Sequence, residues 1–272
     1  MGWLQREATE TQITHRMRLW LYVLAALIMA FLIIPTLIVV PMSFSASQYL
    51  EFPPREWSLR WYENYFGSAS WLQATATSLK AGTLTAIVAT PLGTLAAYGL
   101  FVSRLRWAGF VFALLVTPMI VPVILVGIAV FYAYVQLKLV NTLMGIVLAH
   151  SVLAIPLVLL IVTSALKSYD MSQEMAARSL GASRPWAFLT VTLPQIRFAV
   201  VTAAILAFLT SFDEIIVAMF VSGGANSTLT RNMFTSLRDQ IDPTIAAIST
   251  VMILITSVLL ALSQIFGKRE RD

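Results

Sequence analysis

Apolar residues run along this chain in six long stretches, at about residues 19–42, 81–101, 107–135, 141–166, 198–221 and 243–266, and polar residues collect between them. Each stretch matches the roughly 20 residues that a helix needs to cross about 30 Å of hydrocarbon. The period-two alternation of a membrane barrel is absent. Helices, which satisfy their own backbone groups, are therefore the spanning structure that the pattern predicts. The first stretch exceeds the h-region of a signal peptide, about 7–15 residues, and no clear small-x-small site follows it at the right place, so it reads as an uncleaved span. The expectation is an all-α integral membrane protein with six transmembrane helices. It has an N-terminal segment 1–18, a membrane domain 19–266 and a tail 267–272.

Composition narrows the class. The chain is 58% hydrophobic and 11% charged, with a mean hydropathy of +0.82. Soluble domains run near 45–50% apolar and about 25% charged, so a cytosolic enzyme and a disordered chain are both excluded. Without cysteine there are no disulfides, thiolate metal sites or cysteine nucleophiles. Two histidines, His15 and His150, are too few for a histidine-rich metal site. The net charge is +5, but no basic run of five residues marks a nucleic-acid partner. The excess is read instead as topology. With both termini inside, 12 of the 18 Lys and Arg residues fall in inner segments, as the positive-inside rule requires.

Two outer connections are long. Residues 43–80 carry Trp57, Trp61, Tyr62, Tyr65 and Phe66, a density suited to the headgroup interface. Residues 222–242 open with Gly223-Gly224 and end in Asp242-Pro243, an N-cap followed by a helix-starting proline. Lys80 is expected at the outer end of the second span, snorkelling to the headgroups.

The inner loop 167–197 predicts a helix–turn–helix. Asp170 caps a short helix, with Gln173 placed to reach back. Gly181 supplies the left-handed residue that closes it, and Ser183 caps a second piece through Trp186 and Phe188. Small Ala176 and Ala177 beside Met175 and Leu180 let such a helix seat in a groove on another protein.

The run Glu174-Met175-Ala176-Ala177-Arg178-Ser179-Leu180-Gly181, followed by Val191 and Leu193-Pro194, resembles the EAA loop of bacterial ABC importer permeases. Counted back from Gly181, the family's glutamate falls on Met175, and Glu174 stands one residue earlier. Trp57-Ser58-Leu59-Arg60-Trp61-Tyr62, Ser211-Phe212-Asp213-Glu214, Phe220-Val221-Ser222-Gly223-Gly224 and Thr228-Leu229-Thr230 are similar to the spermidine/putrescine-type branch. The resemblance implies a type I ABC importer permease fold in the bacterial inner membrane. It implies a second, different permease subunit, two ATPase subunits and an extracytoplasmic solute-binding protein. Glu174, Met175, Ala176, Ala177, Leu180 and Gly181 would form the ATPase-coupling face. No G-x-x-x-x-G-K-[ST] motif is present, so ATP and Mg would sit on the partner subunits, with no cofactor, metal or catalytic residue on this chain.

Asp213 and Glu214 are the acidic residues placed within a span. Burial in hydrocarbon is costly, so they are expected to face a bundle interior, water or a partner, and an acidic pair suits a cationic solute. Ser211, Phe212 and Tyr132 complete the candidate path, and Pro118 and Pro122 are candidate helix breaks lining a gate. His150, in the fourth span, reads as a neutral residue bonded between helices. Arg231 and Arg238 suit instead an anionic or zwitterionic solute, such as an amino-acid derivative, opine or phosphonate. A transporter driven by an ion gradient could use Asp213 and His150 as a relay but leaves the helix–Gly–helix loop without a purpose. A membrane enzyme would need a convergent nucleophile, base or metal set, which the sequence does not offer.

Overall fold

A computed structural model describes residues 14–103, 105–239 and 241–268. Arg6, Arg104, Arg269 and Arg271, all counted as inner charges, lie outside the described residues, as does most of the N-terminal segment and of the tail. Thirteen α-helices are present among the described residues: α1 (Leu19–Met42), α2 (Arg60–Gly67), α3 (Ala69–Val102), α4 (Ala108–Ile120), α5 (Val123–Leu137), α6 (Leu143–Ser168), α7 (Ser172–Ser179), α8 (Arg184–Ala187), α9 (Leu193–Gln195), α10 (Arg197–Phe212), α11 (Ile216–Val221), α12 (Leu229–Asp239) and α13 (Thr244–Lys268). Among the described residues four rods are long and apolar enough to cross a membrane, and two bent helix pairs bring the number to as many as six.

The chain divides into two units. The first holds α1, α2 and the start of α13. No residue of α1 is buried among the described residues, so its apolar surface is free for lipid or protein. Between α1 and α2 the chain is held by local bonds, including Ser43 Oγ with the Tyr62 hydroxyl at 2.8 Å and Trp61 Nε1 donating to the Ser47 carbonyl at 3.2 Å. Asp242 accepts from the Thr244 N–H at 2.9 Å, the expected cap of α13. Asn64 Nδ2 then donates to Thr244 Oγ1 at 2.7 Å.

The second unit is built on α3, α6 and α10, which pack against one another. Their contact faces are small. Ala74, Ser78, Gly82, Ala89, Gly93 and Ala97 are buried along α3, and Ala199, Ala203 and Ala207 along α10. In lipid no hydrophobic force drives helices together, so association relies on close backbone approach over small residues. A Cβ on Gly93 would lie 2.7 Å from Val158 Cβ, and one on Gly82 would lie 2.9 Å from the Phe208 ring.

Three expectations change. The third apolar stretch is no single rod: α4 and α5 meet at 99°. Pro122 makes the break, because proline excludes the preceding residue from helical geometry, and Val121 is extended at φ −69°, ψ 133°. Pro118 stays inside α4. The fifth stretch is also interrupted. α10 ends at Phe212 and α11 starts at Ile216, leaving Asp213 and Glu214 at the break. The 80° bend associated with α10 lies at its other end, against the rod Arg184–Gln195. Finally, α3 begins twelve residues before the expected span, so Lys80 lies within the helix, exposed, and not at its end.

Candidate functional site

The loop 167–197 folds as a helix, a left-handed turn and a second helix. Asp170 accepts the Ser172 N–H at 2.9 Å and the Ser172 hydroxyl at 2.7 Å. Asp170 thus stands one residue before the N-cap, Met171, and its carboxylate binds Ser172, in place of the expected exchange with Gln173. These two bonds hold the Asp170 carboxyl below the usual carboxylate range. Their stabilisation is present above the unfolded carboxylate range and fades as pH falls through the lowered folded value. At the other end of α7 the Ala182 N–H reaches the Ala177 carbonyl at 3.1 Å, and Gly181 sits at φ +98°. That is a glycine-terminated helix end, and the positive φ favours glycine. Ser183 precedes α8, which continues as a five-residue π-helical segment, Phe188–Thr192, and then α9.

The expected coupling residues do not share one face. Met175, Ala176, Leu180 and Gly181 are exposed, Leu180 at 90%, and Ala177 is half-buried. Glu174 turns the other way and is 0% exposed. One residue is about 100° around a helix, so the one-residue offset from Met175 carries Glu174 onto the inner face. There its Oε1 accepts the Tyr98 hydroxyl at 2.7 Å and its Oε2 the Thr192 hydroxyl at 2.5 Å. The Tyr98 ring packs on Phe188, centroids 4.4 Å apart.

The expected path residues also separate. His150, fully buried on α6, bonds through Nδ1 to Ser211 Oγ at 2.7 Å, the interhelical bond expected of it. Its Nε2 lies 3.6 Å from Glu214 Oε2, an ion pair only if the ring is protonated. Both Glu214 oxygens accept backbone N–H groups, from Val217 and Ala218, at 2.8 Å each. Glu214 therefore caps the start of α11 from one residue before the N-cap Ile215, and its carboxylate satisfies donors that the helix break would otherwise orphan. Thr230 Oγ1 donates to the Glu214 carbonyl at 2.8 Å, tying α12 to the break. Ser211 and Phe212 are buried, and Phe212 stacks on Phe208 at 5.5 Å. They supply a hydrogen bond and packing in place of an accessible face. Asp213 is exposed beside them, and Tyr132 is 69% exposed on α5. α5 packs on α11 at Gly127, where a Cβ would lie 2.7 Å from the Phe220 ring.

Beyond α11 the chain returns over the bundle end. The Asn141 N–H donates to the Val221 carbonyl at 2.8 Å, and Ser78 Oγ accepts the Leu229 N–H at 2.8 Å. A Cβ on Gly223 would come within 2.5 Å of both Arg231 Nη1 and Asn141 Oδ1. Burial holds the Arg231 guanidinium below its ordinary range, and its Nη1 is buried without a hydrogen-bond partner among the described residues. At the opposite end, Ser164, Ser168, Tyr169, Asp170, Gln173 and Gln195 help to line an open groove of about 670 Å³. Sequence reading missed the role of Glu174 as a buried acceptor and that of Glu214 as a cap. The helical offset from Met175 gives the inward direction of Glu174 but not its partners; the second needed the break at Asp213.

The family described as binding-protein-dependent transport system inner membrane component matches residues 89–272. A putrescine transport system permease protein of Escherichia coli, PotI, is 32% identical over 86% of this chain and 85% of its own length. A spermidine/putrescine transport system permease protein of Haemophilus influenzae, PotC, is 29% identical over 89% of this chain and 93% of its own. In fold, the chain is similar to a crystallised bacterial ABC transporter that imports the acidic polysaccharide alginate, with a TM-score of 0.71 at 15% identity, covering 95% of this chain and 99% of that one.

Proposed function

This chain belongs to the binding-protein-dependent transport system inner membrane component family, and from that premise we propose that its solute is a polyamine, putrescine or spermidine. The chain is an ABC importer permease subunit. The observation that favours a polycation is Asp213, an exposed carboxylate at a helix break inside an apolar stretch, in a chain similar along most of its length to putrescine permeases. An exposed carboxylate there lowers the energy of an ammonium group, and an exposed aromatic ring such as Tyr132 on α5 is of the type that suits a methylene stem. Glu214, committed to α11, serves the path only by fixing that break.

The remaining parts follow from the same reading. A solute-binding protein delivers the polyamine, and a second, different permease completes the path. Two ATPase subunits carrying ATP and Mg seat against Met175, Ala176, Ala177, Leu180 and Gly181. Both termini lie in the cytoplasm, so a reporter fused after Asp272 should read cytoplasmic. Arg231 favours a second reading, an anionic or zwitterionic solute such as an amino-acid derivative, opine or phosphonate, because its Nη1 is buried and unpaired among the described residues.

Uptake of labelled putrescine, spermidine and an anionic amino-acid derivative decides between the two. Asp213→Asn keeps size and removes charge. It should lower polyamine uptake about tenfold, the effect of 1.4 kcal/mol, with assembly unchanged. Uptake of the anion alone would transfer the solute contact to Arg231 and end the polyamine reading.

A further inference from the structure

The eight-residue α7 is too short to hold its shape alone, and Glu174 is its one buried residue among the described residues. A carboxylate is expensive to bury unless its oxygens are bonded. Here both are, by hydroxyl donors from two different elements: Tyr98 on α3 and Thr192 on the π-helical segment. Tyr98 lies one turn beyond Thr94 and next to Ala97, at the end of the small-residue stripe that packs α3 in the bundle. The Tyr98 ring also rests on Phe188, where the π-helical segment begins. One carboxylate thus joins the helix with the exposed Met175 and Leu180 to the helix that organises the membrane core.

We propose that Glu174 is a positioning residue, a buried latch that makes α7 move with α3 and the π-helical segment as one rigid body. This rests on the permease reading above, in which the exposed face of α7 meets an ATPase. It assigns the inward acidic residue a task separate from that contact. Met175 and Leu180 receive the force, and Glu174 passes it on through Tyr98 and Thr192. Without the latch, an ATPase could still hold and move α7, but α3 would not follow.

The chain has no native cysteine, so paired spin labels can be placed directly. Gln173→Cys on α7 and Leu95→Cys on α3, both exposed positions, report the separation of the two helices. In the complete transporter in lipid, the parent chain should give a narrow distance distribution that is unchanged between nucleotide-free and vanadate-trapped states. Glu174→Ala should broaden it and let it shift with nucleotide, and Glu174→Gln, which retains an acceptor, should restore much of the width. Putrescine uptake per ATP hydrolysed should fall about tenfold in Glu174→Ala, while hydrolysis stays within about twofold. That split is one that a general loss of folding would not produce. Should Glu174→Ala fail to assemble, Tyr98→Phe and Thr192→Val remove only the donors and carry the same expectations. Distributions in these variants as narrow as the parent's would overturn the latch. A parent chain that binds no ATPase would instead overturn the permease reading, and the distribution widths, measured without nucleotide, would still decide the latch.

Discussion

Gly181→Val removes uptake while leaving the protein in the membrane. Gly181 has φ +98°, and an added Cβ would meet no heavy atom within 4 Å among the described residues. The cost is therefore backbone conformation alone, about 1–2 kcal/mol for a left-handed L-residue and more for a β-branched one. The turn relieves that cost by leaving the left-handed region. The bond from Ala182 to the Ala177 carbonyl then breaks, and α7 and α8 lose their mutual angle. The turn is exposed and packs on none of α3, α6 and α10, so their core keeps its packing. ATP-driven uptake should fall at least about tenfold, with membrane abundance near that of the parent. Gly181→Asn, which tolerates the left-handed region, should retain most of the activity. Normal uptake in the valine variant would remove the coupling role proposed for the loop.

Gly93→Leu acts on the fold itself. A Cβ there meets Val158 Cβ and Cγ1 at 2.7 Å and the Ile155 carbonyl oxygen at 3.2 Å. The carbonyl belongs to α6, so the helices must separate to admit the side chain. Overpacking typically costs about 1–3 kcal/mol, and separation of α3 from α6 also loosens the small-residue contacts along both helices. The variant should fail to accumulate in the membrane, or melt in detergent well below the parent. Gly99→Leu is the matched control: it lies on the same helix, six residues on, with no atom within 4 Å of an added Cβ among the described residues. Equal melting of the two variants would show that close approach at Gly93 does not hold the bundle.

The long rods were legible because apolar length alone defines them. Residues 19–42 were read from hydropathy and coincide with α1, and Gly181 was read from the spacing of its loop. Proline position was less informative. Pro118 and Pro122 carry the same signal, yet α4 runs through Pro118 to Ile120, with the Val121 N–H bonded to the Thr117 carbonyl, and the break comes at Pro122. The interruption of the fifth stretch escaped hydropathy for a different reason. Asp213-Glu214 reads as a costly pair inside an apolar run, but Glu214 offsets its cost by capping a new helix, a local solution invisible to an average over eighteen residues. The bonds of Glu174 join residues 76 and 18 positions apart, beyond the reach of any helical periodicity.

The central claim is that this chain works as the membrane half of an ATP-driven importer, and its most direct test is the energy source of uptake. The chain should be reconstituted in vesicles with its partner permease, ATPase subunits and solute-binding protein, and uptake of labelled putrescine followed with and without ATP. Uptake should require ATP and the binding protein, should stop with vanadate, and should persist when an ionophore collapses the ion gradients. Uptake that proceeds without ATP and vanishes with the ionophore would contradict the account and identify a transporter driven by an ion gradient.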